Sequence, residues 1–131
     1  LEGPAEHLAF LQKYDRIDVA LDAFPYNGGT TTMEAIWQGV PVLTFAGDRW
    51  ASRTSQSLLR HTHLAPFVAA DRQRYIEHAI ALANDPGAPR RLAALRTGMR
   101  AALAQSSACN VCEFARAMER LYRQMVSAGP P

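Results

Sequence analysis

Residues 17–45 read IDVALDAFPYNGGTTTMEAIWQGVPVLTF, and the succession of patterns within them decides the fold class. Ile17 to Asp22 begins by alternating apolar and polar residues and ends on an acid, as a strand does where it leaves a sheet. Phe24 to Gly29 then gathers a proline, an asparagine and two glycines, which predicts a loop. From Thr30 the pattern turns helical, with Met33, Ile36 and Trp37 three and four residues apart, and Gly39 stands where that helix should stop. Pro41 to Phe45 is a short apolar run of the kind that is buried on both faces in a parallel sheet. Strand, loop, helix and strand joined by short connections predict a parallel sheet covered by helices.

The flanking segments fit the same plan. Leu8, Leu11 and Tyr14 mark an amphipathic helix over 6–16. Ala46 to Trp50 reads as a loop, Ser52 as the cap of a helix running to about His61, and residues 65–68 as a brief strand. Asp71 is placed to cap a helix that carries Tyr75, Ile76, Ile80 and Leu82 and ends at Asp85-Pro86-Gly87. Two more helices, over 89–105 and 112–126, close the chain before a frayed tail at 128–131. The expected fold is α/β, a partial Rossmann-like parallel sheet of three or four strands with helices. So few strands, and a start at Leu1-Glu2-Gly3 inside what reads as a domain, imply a piece of a longer protein.

Composition bounds what such a domain does. With 131 residues, 48% of them apolar, the chain suffices for one domain with a real core. A net charge of +2 with mixed signs provides no basic stripe for a nucleic-acid backbone. The basic residues from Arg90 to Arg100 alternate with Leu92, Leu95, Met99 and Leu103 at helical spacing, which reads as a solvated helix face. No run approaches the ~18–20 apolar residues of a membrane span, so no membrane partner is expected and the protein should be soluble and cytoplasmic. Cys109 and Cys112 form a lone C-x-x-C that enters a helix after a serine-rich loop, a context that suits neither a zinc site nor a redox pair.

The chemistry concentrates in the loop from Asn27 to Thr32. Ligands of open α/β sheets bind at loops leaving the carboxyl ends of parallel strands. Gly28 and Gly29 let the backbone approach a ligand closely, the following helix offers unpaired N–H groups, and Thr30, Thr31 and Thr32 add hydroxyl donors. That set suits an anion such as a diphosphate. Thr31-x-x-Glu34 is equally a capping box, in which Glu34 would fold back toward the helix start instead of facing a ligand.

The run from Asp22 to Thr44, including Phe24-Pro25-Tyr26-Asn27-Gly28-Gly29-Thr30-Thr31-Thr32-Met33-Glu34, resembles the donor-site region of the O-linked N-acetylglucosamine transferases, glycosyltransferase family 41, in particular bacterial members. The resemblance continues through Ala46-Gly47-Asp48 and Ala51-Ser52-Arg53 into the last two helices. It implies the C-terminal lobe of a GT-B fold that holds a UDP-sugar, and inverting transfer of N-acetylglucosamine to Ser or Thr hydroxyls, with no cofactor and no metal. On that pattern His7 is the nucleobase-side histidine, Thr30 and Thr31 meet the diphosphate with the helix N-terminus, and Glu34 takes the ribose; Asn27, Gly28, Gly29 and Arg53 complete the candidate UDP-sugar-binding residues. Read without the resemblance, His7 is an exposed histidine on a helix. Two positions depart from the pattern: animal members have a histidine where this chain has Gly29, and the family's lysine near His7 falls on Pro4.

The absence of an Asp-x-Asp triplet agrees with metal-free chemistry. No residue offers itself as general base, so the catalytic group is unknown. The resemblance assigns the protein acceptor, a first Rossmann lobe and helical repeats to parts outside this chain, which alone should bind the donor weakly without transferring it. Arg53 is placed either to serve the phosphates or to pair with Asp48. Trp37, on the apolar helix face, is expected in the core, and Trp50 is left open. The alternative function is a stand-alone nucleotide- or phosphate-binding α/β module.

Overall fold

A computed structural model describes residues 3–128. Three strands form a parallel sheet in the order β1 (Ala20–Leu21), β2 (Val42–Phe45), β3 (Val68–Ala69). Ala20 pairs with Val42 and Leu21 with Leu43, while Thr44 pairs with Val68 and Phe45 with Ala69. Among the described residues six α-helices accompany it: α1 (His7–Gln12), α2 (Thr30–Trp37), α3 (Thr54–Arg60), α4 (Arg72–Asn84), α5 (Ala88–Gln105) and α6 (Val111–Ala128). Because β2 lies in the middle, all four of its residues are buried, as its unbroken apolar pattern requires.

The pleat of β2 sends alternate side chains to opposite faces. Val42 joins a core with Ile36 of α2 and Val40 just after it, Leu59 and Leu64 around α3, and Met99 and Leu103 of α5. On the other face Phe45 packs against Phe24 and against Tyr75 of α4, at ring-centroid distances of 5.0 and 5.3 Å. Each large side chain buried this way contributes about 1.5–3 kcal/mol. Helices thus cover both faces, the doubly wound plan expected from the sequence.

Several local readings need correction. Ile17–Val19 precede the first strand, because Ile17 N–H bonds back to Tyr14 O at 3.2 Å and closes a 3-10 turn over Lys13–Arg16. Ser52 is not the cap of α3: its Oγ donates to Arg49 O at 2.9 Å within a 3-10 turn, and Arg53 takes the cap position. The strand placed at 65–68 is a 3-10 turn over Ala65–Phe67 followed by β3. Trp37 is 43% exposed, its ring covered by the guanidinium of Arg100 at 5.2 Å, so it borders the core and does not fill it. Asp71 does cap α4, its carboxylate accepting from Arg74 N–H at 2.8 Å. Of the tail at 128–131, residues 129–131 lie outside the described residues.

The basic face of α5 also does more than meet solvent. Arg96 donates to Tyr14 O at 2.7 Å and Ile17 O at 3.1 Å, and Arg100 donates to Trp37 O at 3.0 Å. These two side chains satisfy carbonyls at the ends of the α1 segment and of α2. α6 behaves differently from the other long helices. It has no buried residue, and Val111, Phe114, Leu121 and Met125 are exposed along one stripe. Cys109 and Cys112 are free thiols where it begins. Among the described residues no helix is long and apolar enough to cross a membrane.

Candidate nucleotide-binding site

β1 ends at Leu21, and Asp22 organises the loop that follows. One carboxylate oxygen accepts from Ala23 N–H at 3.0 Å and Gly28 N–H at 2.9 Å, and the other accepts from Thr44 Oγ1 of β2 at 2.6 Å. Tyr75 of α4 donates its hydroxyl to Asp22 O at 3.2 Å. Asn27 is buried at 4% exposure; its N–H bonds Ala51 O at 2.8 Å and its Nδ2 donates to Ala23 O at 2.9 Å. The loop is therefore held by its own polar groups, and Phe24-Pro25 within it is a cis peptide. Asp22, as a hub, escaped the sequence reading, which used it only as the end of a strand.

The loop delivers the chain to the start of α2. Gly29 is the N-cap and makes no side-chain cap, and the first helical bond runs from Met33 N–H to Gly29 O at 3.1 Å. The N–H groups of Thr30, Thr31 and Thr32 consequently have no partner within the helix. Gly28 must be glycine here, since a Cβ would lie 2.6 Å from Thr31 Oγ1 and from Thr32 Oγ1. A cleft of about 610 Å³ opens beside this loop, lined by Asn27, Gly28, Gly29, Thr30 and Thr31 and floored by Tyr14 and Ala35. Unpaired amides, exposed hydroxyls and the positive end of a helix dipole on one wall make that wall attractive to an anion.

Thr30 also lines a second hollow of about 240 Å³ that holds His7 and Glu34. His7 Nε2 lies 2.8 Å from Glu34 Oε1, joining α1 to α2. Glu34 therefore does not fold back on Thr31, and the capping-box alternative is set aside in favour of a carboxylate paired with His7 in the second hollow. Tyr14, beneath, donates to Thr31 O at 3.4 Å. Burial, and then the charge of Glu34, holds its hydroxyl above the usual tyrosine pKa.

Seven of the eight candidate residues are thus brought to two adjoining hollows that share Thr30. Arg53 is the exception. It lines a separate hollow with Trp50, Thr54 and Ser57, and its Nε donates to Gly47 O at 2.9 Å. Asp48 is approached instead by Arg49, at 3.8 Å. Thr32, counted among the hydroxyl donors, is buried and bonded to Ser55 Oγ at 2.9 Å, so it faces away from solvent. Among the described residues no group of three His, Cys, Asp or Glu side chains is placed to hold a metal ion.

Comparison with known proteins places this arrangement. The sequence model of glycosyl transferase family 41 matches residues 5–118. The chain is 39% identical over 115 residues to the probable UDP-N-acetylglucosamine–peptide N-acetylglucosaminyltransferase SPINDLY of Arabidopsis thaliana, covering 88% of this chain and 12% of that protein. It is 34% identical over 108 residues to the UDP-N-acetylglucosamine–peptide N-acetylglucosaminyltransferase of Caenorhabditis elegans, covering 82% of this chain and 9% of the relative. A solved mutant of the Thermobaculum terrenum O-GlcNAc transferase superposes with a TM-score of 0.78 at 37% identity, over 95% of this chain and 24% of that one. The parallel sheet with its edge loop is a Rossmann-like α/β fold of the GT-B class. The chain belongs to glycosyl transferase family 41. It spans about an eighth of the length of its plant relatives, which are matched over 12%.

Proposed function

We propose that this chain is the donor-binding part of an inverting protein O-glycosyltransferase, within the C-terminal lobe of its GT-B fold, that takes N-acetylglucosamine from UDP-N-acetylglucosamine to Ser or Thr hydroxyls. The observation that carries the reading is the uncapped start of α2, where three N–H groups without helical partners adjoin the hydroxyls of Thr30 and Thr31. As the sugar leaves, negative charge grows on the diphosphate. Donors already fixed in place stabilise that charge with little reorganisation. Glu34, one helical turn on, accepts from ribose hydroxyls, and His7 flanks the nucleobase once its bond to Glu34 gives way to ligand. Arg53, outside the two hollows, reaches the phosphates only by releasing Gly47 O.

In this reading the reaction needs no metal or other cofactor. The general base, the protein acceptor, a first Rossmann lobe and helical repeats belong to the rest of the protein, which works in the cytoplasm. The chain by itself binds donor weakly and transfers nothing. Calorimetric titration with UDP, UDP-N-acetylglucosamine, UDP-glucose and inorganic phosphate tests it, on wild type and on Thr30→Ala. Uridine nucleotides should bind better than phosphate, and Thr30→Ala should weaken UDP about tenfold. Equal affinity for UDP and phosphate would instead leave a phosphate-binding module.

A further inference from the structure

Gly28 has both of its backbone polar groups tied by side chains, one from the start of its own loop and one from α3. Its N–H donates to Asp22 Oδ1 at 2.9 Å, and its carbonyl accepts from Ser55 Oγ of α3 at 3.0 Å. A serine hydroxyl has one proton, so with that proton on Gly28 O the 2.9 Å contact between Thr32 Oγ1 and Ser55 Oγ has Thr32 as donor. The hydrogen bonds therefore run in one direction, from Thr32 to Ser55 to the loop carbonyl. Thr32 and Ser55 are buried at 2% and 0% exposure.

Two hydroxyls enclosed between helices are an uneconomical way to fill a core. An apolar pair of similar shape would be nearly as stable, because each hydroxyl must first be stripped of water. What an apolar pair would lack is any hold on the Gly28 carbonyl, one residue before the N-cap of α2. We propose that Ser55 and Thr32 are positioning residues for the donor loop: they hold the Gly28 carbonyl while Asp22 holds the Gly28 N–H, so that the free amides of α2 converge on one point before ligand arrives. A buried, fully bonded chain of this kind confers rigidity, and rigidity of the donors translates into anion affinity. The assignment of the anion as a nucleotide diphosphate rests on the function proposed above; the hold on the loop does not.

The test uses Ser55→Ala, the conservative Thr32→Ser, and Thr62→Ala as a control. Thr62 makes a comparable hydroxyl bond to Leu59 O at 2.8 Å, away from the loop. Without ligand, amide hydrogen exchange at Asn27, Gly28 and Met33, whose N–H groups are bonded to Ala51 O, Asp22 Oδ1 and Gly29 O, should accelerate about tenfold in Ser55→Ala and stay unchanged in Thr62→Ala and Thr32→Ser. With ligand, Ser55→Ala should lose about tenfold in affinity for UDP and pyrophosphate but keep its affinity for uridine. Unaltered loop exchange in Ser55→Ala overturns the proposal, as does an equal loss of pyrophosphate affinity in Thr62→Ala. Should wild type bind no uridine nucleotide while the exchange pattern is as stated, the positioning role holds and the donor assignment is what fails.

Discussion

Arg96 lies directly against Gly39: a Cβ built on that glycine would sit 2.5 Å from Arg96 Cγ, and Gly39 itself adopts a φ of +82°. The turn that ends α2 thus needs glycine for two independent reasons. A left-handed conformation costs other residues about 1–2 kcal/mol, and displacing Arg96 would also disturb its bonds to Tyr14 O and Ile17 O. Gly39→Ala should destabilise the chain by at least about 2 kcal/mol in urea unfolding. A loss under 0.5 kcal/mol would mean that Arg96 yields freely.

Gly29 presents the opposite case. A Cβ there meets only Thr54 Cγ2, at 3.9 Å, and its φ of −116° lies outside the left-handed region. Gly29→His, which places the residue of animal members beside the uncapped amides, should change stability by no more than about 0.5 kcal/mol. It should tighten UDP about two- to tenfold by adding a donor. Calorimetry beside a thermal melt reads both, and a variant that folds normally yet binds UDP no better would remove the anion from this corner.

Alkaline conditions should weaken the fold. The hydroxyls of Tyr14 and Tyr75 are both held above the ordinary value of 10.0, first by burial and then by the carboxylates of Glu34 and Asp22. Above pH ~10 the unfolded chain releases these protons while the folded chain keeps them. Stability is therefore whole below that pH and declines as pH climbs toward the folded values. Urea unfolding from pH 8 to 11 should show the decline, with a shallower slope for Tyr75→Phe; parallel slopes would clear Tyr75 of a part in it.

On α6 the apolar stripe is largely exposed in this chain. Leu121 is 52% exposed and no residue of the helix is fully buried, so Leu121→Glu should alter the melting temperature very little while reducing concentration-dependent association in light scattering. A drop of several degrees would show that the stripe is packed.

The α/β architecture was legible because β2, α2 and α4 obey local rules: a continuous apolar run, a glycine stop and an aspartate cap. The candidate loop was legible for the same reason, as glycines and hydroxyls at the exit of a strand announce a close approach to an anion. What escaped the sequence were partnerships across long separations. Glu34 looked equally suited to Thr31, three residues away, and to a ligand; its bond to His7, 27 residues away, has no periodic signature. Ser52 looked like a cap because serine often is one, yet a tighter turn claimed its hydroxyl first. Trp37 sits at the border of the apolar side of α2, where Arg100 of α5 covers its ring while Met99 and Leu103 of the same helix join Ile36 in the core. The arginines of α5 resembled a wet surface because spacing reports which face a side chain leaves from, not which carbonyl a long side chain reaches.

The reach of those arginines sets a practical boundary. The candidate ligand residues all precede Thr54, so their positions alone call for little beyond Arg53. Yet the ends of the α1 segment and of α2, which carry His7 and Glu34, are fastened by Arg96 and Arg100. The smallest excerpt that preserves the separation of those two side chains therefore runs nearly to the end of α5, about twice as far as the ligand residues themselves extend.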